Sequence, residues 1–328
     1  MMNISVPYYQ DLTRISNSNI GWFIQKGPSY LHKMLTDPPE EEKNATLERG
    51  TMIHEYLLQP EEFQKDYVVW TDSKPASAQQ ETFCRELADT LEIEPNKAIL
   101  SAYKKAYSTK GKTDDLMLSD GQEMALKLAK YIDFLKSRDT RKMISIWDAK
   151  MLKKIKQNIT SHKFANKLLK HEFNVAQEFE LHHEFHINWE WDSVHCKSLL
   201  DSAALDFKNK VCTIMDLKTT QKLWHFEESM NTYDYLRQLC YYTMAVKWYL
   251  SEELKEDDTE WKFEWYIIGI DTTGTNEIRV FEFTEDQVWS RYDAIVNALE
   301  DISWHQNNDK WDHSKEYYIG NGAESLTL

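Results

Sequence analysis

The apolar, β-branched run at 211–215, followed by Asp216-Leu217-Lys218, constrains the fold of this chain more than any other feature. Such a run is typical of a buried strand. Because side chains alternate along a strand, Asp216 and Lys218 point to the same face and Leu217 to the opposite one. Another acidic residue, Asp201, precedes Asp216 with fourteen residues between them. Two carboxylates and an ammonium group are the equipment of metal-dependent phosphodiester hydrolysis, because the acids hold a divalent cation and the cation and lysine offset phosphate charge.

The remaining periodicities predict an α/β fold. Strand patterns occupy 62–70, 176–191, 195–207, 210–218, 262–271 and 277–283, the last two separated by a hairpin signature. Helical patterns cover 45–58, 78–92, 121–138, 147–170, 230–251 and 284–305, and a loop pattern covers 108–121. Strands in the middle of the chain with helices before and after predict a central mixed β-sheet flanked by helices.

Composition indicates a folded protein of 328 residues, with 41% apolar side chains. We predict one domain over 1–328, in which the polar, mixed segment 71–125 is an insertion or a mobile flap. No run approaches the length of a membrane span, and the N-terminus lacks the regions of a signal peptide. We therefore expect a cytoplasmic protein without a membrane partner.

The charge distribution is uneven. The net charge of −15 argues against nucleic acid, yet 127–170 carries thirteen Lys or Arg against three Asp. Two interpretations stay open for these predicted basic helices: a solvated helix face, or a path for a phosphate backbone. On the second interpretation the candidate DNA-binding residues are Lys150, Lys153, Lys154 and Lys156.

Further polar residues lie at positions that indicate either a functional site or an ordinary structural role. Gly50 precedes His54 by one helical turn. A glycine destabilises the interior of a helix, and its presence here is explained if a backbone or ligand approaches closely. Gln238 and Tyr242 share a helix face, although an aromatic-rich core helix explains them equally well. Two glutamates open the strand before Asp201, where an exposed strand edge is the alternative explanation; they are Glu178 and Glu180.

The order of these motifs resembles the RecB-like branch of the PD-(D/E)xK nuclease superfamily: Gly-x-x-x-His, Glu, Asp, Asp-x-Lys, Gln-x-x-x-Tyr. Four segments narrow the resemblance to the RecE-type exonucleases of phages and prophages: Ile15–Ser18, Arg49–Phe63, Cys196–Asp201 and Asp216–Thr220. The resemblance covers roughly 8–310 and implies a restriction-endonuclease-like core. Two departures are Leu200 at the Pro of the motif and Leu199 at a common Arg.

The resemblance implies a role for each matching residue. The implied ligands of Mg²⁺, or of Mn²⁺, are Asp201, Asp216, the Leu217 carbonyl, His54 and Glu178, with Glu180 as the alternative to Glu178. Lys218 would position the attacking water, while Gln238 and Tyr242 would hold the scissile strand or orient Lys218. The four cysteines are scattered, so no iron–sulfur cluster is expected.

The implied activity is exonucleolytic hydrolysis of linear double-stranded DNA, from 5′ to 3′, in recombination. A homo-oligomeric ring around DNA and a single-strand annealing recombinase as partner are expected on the same basis. Two other classes stay open: a structure-specific endonuclease or nickase on the same core, and a DNA-end binding module without turnover. The intact Asp201, Asp216 and Lys218 argue against the second.

Overall fold

The structure is a computed structural model and describes residues 7–39, 44–90, 94–170 and 179–322. The chain divides into two compact units. The first unit comprises 1–60 and 151–328, and the second comprises 61–150. The second unit is wider than the predicted insertion at 71–125, since it also includes the flanking helices and two short strands.

A five-stranded mixed sheet forms the centre of the first unit. Its strands, in spatial and chain order, are β3 (Phe179–Trp191), β4 (Val194–Asp206), β5 (Val211–Thr220), β6 (Lys262–Asp271) and β7 (Ile278–Phe283). β5 and β6 run parallel, and the other neighbours pair antiparallel. All five were predicted from sequence to within three residues at each end, as was the hairpin of β6 and β7.

Helices cover this sheet. The helices of the first unit are α1 (Asn17–Lys26), α2 (Pro28–Thr36), α3 (Ala45–Leu58), α10 (Lys163–Lys170), α11 (Phe226–Tyr233), α12 (Tyr235–Trp248), α13 (Glu285–Trp289), α14 (Tyr292–Asn308) and α15 (Lys315–Ile319). Two more helices cross the unit boundaries along the chain: α4 (Pro60–Asp66) lies mostly in the second unit, and α9 (Ile146–Ser161) mostly in the first. α12 packs against β3 and β4, and α3 packs against β4 and β5. These contacts bring two helices to the part of the sheet that carries Asp201 and Asp216.

The core of the first unit lies between the sheet and α12. Nine of the fourteen residues of α12 are buried, and Tyr241 at its centre donates a hydrogen bond of 2.6 Å to the Ile15 carbonyl. On the strand β5, Ile214 belongs to this core and is completely buried, while Met215 and Leu217 are completely buried on the opposite face of the sheet. Burial of this kind stabilises each large apolar side chain by roughly 1.5–3 kcal/mol relative to its exposure to water.

The second unit has its own small core. It contains α5 (Ala78–Asp89), α6 (Pro95–Ala106), α7 (Asp114–Lys127), α8 (Ala129–Lys136) and a parallel pair of strands, β1 (Tyr67–Trp70) and β2 (Lys142–Ser145). Phe83, Cys84 and Leu128 are almost completely buried at its centre.

Several sequence expectations were wrong at element boundaries. Segment 62–70 is mostly the end of α4, and only its last four residues form a strand. The predicted loop 108–121 is shorter than expected, since α7 begins at Asp114. Thr113 caps this helix by accepting a hydrogen bond from the Leu116 amide. The predicted helix 230–251 is two helices, because Asp234 takes a left-handed backbone conformation (φ 47°) that no helix can continue through.

Two further features of the fold concern its helices and its cysteines. Within the described residues, no helix combines the length and the apolar character needed to cross a bilayer. The four cysteines form no disulfide and are buried in α5, β4, β5 and α12, where a free thiol packs as a small apolar side chain.

Candidate active site

Three carboxylates lie in a row across β3, β4 and β5. The β3–β4 register is the same on both sides of Glu184, which places Glu184 opposite Asp201. The β4–β5 pairing reaches Ser202 opposite Met215, and one further step places Asp216 opposite Asp201. Directly opposed residues of antiparallel strands carry their side chains on one face. Like charges so placed destabilise a sheet, so the row costs the fold free energy.

Glu184 is a functional candidate that sequence reasoning missed. It lies in the left-handed backbone region (φ 50°) in mid-strand, a conformation that costs a non-glycine residue about 1–2 kcal/mol. Glu180 is instead exposed four residues along the strand, roughly 13 Å away, and contacts His182 at 3.3 Å. Glu178 lies outside the described residues. The period-two pattern places Glu180 and Glu184 on one face, but only the strand register identifies Glu184 as the residue facing Asp201.

His54 joins this row from α3. Its Nδ1 lies 3.5 Å from Asp201 Oδ1, and Asp201 Oδ2 accepts a 2.6 Å hydrogen bond from the Leu217 amide. His54, Glu184 and Asp201 each offer one potential ligand atom, and these atoms lie within 4.8 Å of one another. Leu217 contacts Asp201 through its backbone amide. The role of its carbonyl as a metal ligand stays a prediction.

The mutual attraction of His54 and Asp201 determines the charge state of both side chains. Burial alone would lower the pKa of His54, but the Asp201 carboxylate outweighs it and raises that pKa above its ordinary value. Burial alone would raise the pKa of Asp201, but His54, Lys218 and the Leu217 amide hold it below its ordinary value. Asp201 is therefore the carboxylate of the row that stays ionised most readily.

Lys218 and Asp216 form a buried ion pair. Lys218 Nζ lies 2.6 Å from Asp216 Oδ2, as expected for residues two apart on one strand face. Burial would lower the pKa of Lys218, but Asp216 and Asp201 outweigh it and raise that pKa. The lysine is thus a cation at neutral pH and not a general base.

α12 presents a polar pair to Asp216. Gln238 Nε2 donates hydrogen bonds to Asp216 Oδ1 at 3.2 Å and to the Tyr242 hydroxyl at 2.7 Å. The i, i+4 spacing thus places both side chains on one helix face, as the sequence predicts. The residue before Gln238, Arg237, was missed by sequence reasoning: it is buried and donates hydrogen bonds to the backbone carbonyl and side chain of Asn17 at the start of α1.

Two carboxyl groups of the row, those of Glu184 and Asp216, are harder to ionise than they would be in water. Burial, with the nearby Asp201 charge, raises the pKa of Glu184 to about 7. Burial, with Asp201 acting against the Lys218 attraction, raises the pKa of Asp216 to about 6. Carboxylate oxygens and an imidazole nitrogen are a donor set for hard or borderline divalent cations. The residues present therefore fit a divalent cation, without selecting one.

The space around Gly50 is larger than the close approach expected from the sequence would leave. A Cβ added there would meet only Thr219 Oγ1, at 3.4 Å, which is an ordinary contact. A close backbone approach does not explain this glycine.

The candidate DNA-binding lysines lie on different surfaces. Lys153 and Lys156 line a shallow depression of the first unit, where Lys156 Nζ lies 5.5 Å from the ring centre of Tyr56. Lys154 lines another depression, beside the β6–β7 turn. Lys150 belongs to the second unit. Tyr56 follows His54 by two residues on α3, so the two side chains lie on different faces of that helix, and the first depression contains no residue of the carboxylate row.

Comparison with known proteins finds likeness among solved structures alone. No protein-family model and no curated protein sequence matches the chain. Among solved structures, it is similar to the crystal structure of a protein named "Putative exonuclease" from Eubacterium rectale. The two chains share 12% identity with a TM-score of 0.49, over 100% of this chain and 96% of that chain. A likeness at this level carries no argument about activity, so a functional assignment depends on the site itself.

Proposed function

We propose that the chain is a metal-dependent deoxyribonuclease with a PD-(D/E)xK core, of the RecE type. The observation that carries the proposal is the row of Glu184, Asp201 and Asp216 on adjacent strands, with Lys218 2.6 Å from Asp216. Three carboxylates beside one lysine, with Asp216 buried and Glu184 and Asp201 partly buried, have no evident structural benefit. They suit a site that binds a cation and a phosphodiester.

The residues that would hold Mg²⁺ are His54, Glu184, Asp201 and Asp216, with Mn²⁺ as the alternative ion. A divalent ion bound there would supply Lewis acidity, which polarises a phosphate oxygen and makes water a better nucleophile. Glu184 replaces the Glu178 or Glu180 ligand that the resemblance implies.

The chain's own groups would prepare the reaction. Lys218, held protonated, donates hydrogen bonds to the attacking water or to a phosphate oxygen on which charge increases. Gln238 holds Asp216 in orientation through its 3.2 Å hydrogen bond, and Tyr242 fixes Gln238 in turn. In the hydrolysis a water oxygen bonds to phosphorus, one bridging P–O bond breaks, and the leaving oxygen is protonated.

DNA contacts outside the site would be to phosphates. Lys153 and Lys156 are exposed beside Tyr56, so they suit contacts to the phosphates of a DNA backbone that lies along α9 outside the site. Such contacts give binding that weakens with salt and does not depend on sequence. Lys150 and Lys154 stay candidates without a defined path.

The direction in which the DNA strand is degraded and the partners of the protein are proposed from the resemblance alone. On that basis we propose 5′ to 3′ degradation of linear duplex DNA for recombination, a homo-oligomeric ring, a single-strand annealing recombinase as partner, and action in the cytoplasm.

The first test is hydrolysis of linear duplex DNA in Mg²⁺, compared with EDTA. Lys218→Met should reduce kcat by about 10²- to 10³-fold, because one preorganised cation at the developing charge is lost. Asp216→Asn should abolish turnover. A wild-type protein that binds DNA but releases no nucleotide in Mg²⁺ or Mn²⁺ would refute the catalytic proposal and favour the DNA-end binding module.

A second test separates exonuclease from endonuclease. The duplex is labelled at either its 5′ or its 3′ ends, and a closed circle is included. Progressive loss from the 5′ end with an intact circle is expected. A nicked circle would assign the same site to a structure-specific endonuclease or nickase.

A further inference from the structure

An exposed aromatic ring lies beside the candidate site without contributing to the core. Tyr233, the last residue of α11, is 62% exposed. Its ring stacks on the ring of Tyr235, with centroids 5.7 Å apart and an interplanar angle of 18°. Tyr235 in turn lies under Lys218, whose Nζ is 5.0 Å from the ring centre. Two stacked rings therefore connect solvent to the lysine of the site.

The residue between the two tyrosines holds this stack in place. Asp234 has a left-handed backbone that ends α11, and its side chain accepts a hydrogen bond from the Arg237 amide at the start of α12. Arg291 Nε binds Asp234 Oδ1 at 2.9 Å, and Arg237 Nε lies 3.5 Å from Oδ2. A non-glycine residue keeps this conformation only where its surroundings fix it. The outer face of Tyr233 is thus a preorganised surface, which lowers the entropic cost of binding to it.

The position of Tyr233 distinguishes it from an ordinary surface tyrosine. A single exposed aromatic side chain needs no explanation by itself. Here the inner face of the ring is covered by Tyr235, the outer face is open, and the stack ends at Lys218, the group proposed to contact the phosphate. Aromatic rings beside phosphate-binding cations are how proteins hold single strands without reading their sequence.

We propose that Tyr233 stacks on a nucleobase of the strand being hydrolysed, next to the phosphate held at Lys218. The proposal depends on the proposed nuclease function and adds to it a residue that positions the strand. Because every base has a π-face, the contact tolerates any sequence. It also requires the base to be unpaired, so it draws the strand out of the duplex near the site.

The test uses DNA with 2-aminopurine at successive positions from one end, bound to Asp216→Asn protein in Mg²⁺ so that the strand stays intact. Stacking on Tyr233 should quench the fluorescence at one position near the scissile phosphate. Tyr233→Phe keeps the ring and should keep the quench. Tyr233→Leu keeps an apolar side chain without the ring, and should lose the quench and weaken binding by about tenfold.

Phe179→Leu is the matched control, since Phe179 is a partly exposed ring on β3, five residues from Glu184. It should change neither the quench nor binding. Active wild-type protein whose Tyr233→Leu variant quenches and binds as before would overturn the role of Tyr233 and leave the nuclease function intact. Wild-type protein that neither binds nor cleaves DNA would overturn both proposals.

Discussion

Replacing Glu184 with Gln should stabilise the metal-free protein at alkaline pH. The pKa of Glu184 is raised from 4.5 to about 7 by burial and by the Asp201 charge. A raised pKa in the folded state means that this residue's contribution to stability is fully present below about pH 4.5 and is lost as the pH rises through about 7. The full shift corresponds to about 3 kcal/mol. Solvent screening at this partly exposed side chain reduces the expected effect to about 1–2 kcal/mol.

Urea unfolding in EDTA at pH 5 and pH 8 measures the effect. The variant should have a higher free energy of unfolding than the wild type at pH 8, and the difference should be smaller at pH 5. Mg²⁺ should stabilise the wild type more than the variant, because a ligand that binds only the folded state stabilises it by mass action. Glu180→Gln, an exposed carboxylate on the same strand, should show none of these differences. A Glu184→Gln variant less stable than the wild type at pH 8 would refute the reasoning.

Three further predictions concern stability measured by denaturant unfolding. Arg237→Met should cost about 2–3 kcal/mol, since it leaves the Asn17 carbonyl and side chain without their buried donor; unchanged stability would contradict this. Burial would raise the pKa of Asp11, but hydrogen bonds from Thr13 and Arg14 lower it to about 2. Asp11→Asn should therefore cost about 2 kcal/mol at pH 7, a loss that shrinks as the pH falls from about 4 towards 2; a constant loss would be inconsistent with this assignment. Gly50→Ala should stabilise α3 by up to about 1 kcal/mol, and a loss of stability would mean that the glycine is needed for close approach.

The strands could be predicted because their signals are local. A run such as 211–215 has the composition of a buried strand, and alternation fixes the relative faces of Asp216 and Lys218. The same applies to Gln238 and Tyr242, whose four-residue spacing on a helix brings both to one face. In the structure all four are connected through Asp216, which contacts Lys218 and Gln238 directly.

Glu184 could not be predicted because its position depends on tertiary register. Several glutamates of one strand share a face, and only the pairing of β3 with β4 decides which one meets Asp201. The break at Asp234 was missed for a related reason. Its left-handed backbone is stabilised by Arg291, fifty-seven residues away in the sequence, and a local pattern carries no trace of such a contact.

The most direct test of the central claim compares Glu184→Gln with Glu180→Gln in the release of nucleotides from linear duplex DNA in Mg²⁺. If the carboxylate row is the hydrolytic centre, Glu184→Gln should lose at least about a hundredfold in rate, while Glu180→Gln stays within about twofold of the wild type. Full activity of Glu184→Gln would contradict the account, most clearly if Glu180→Gln were inactive.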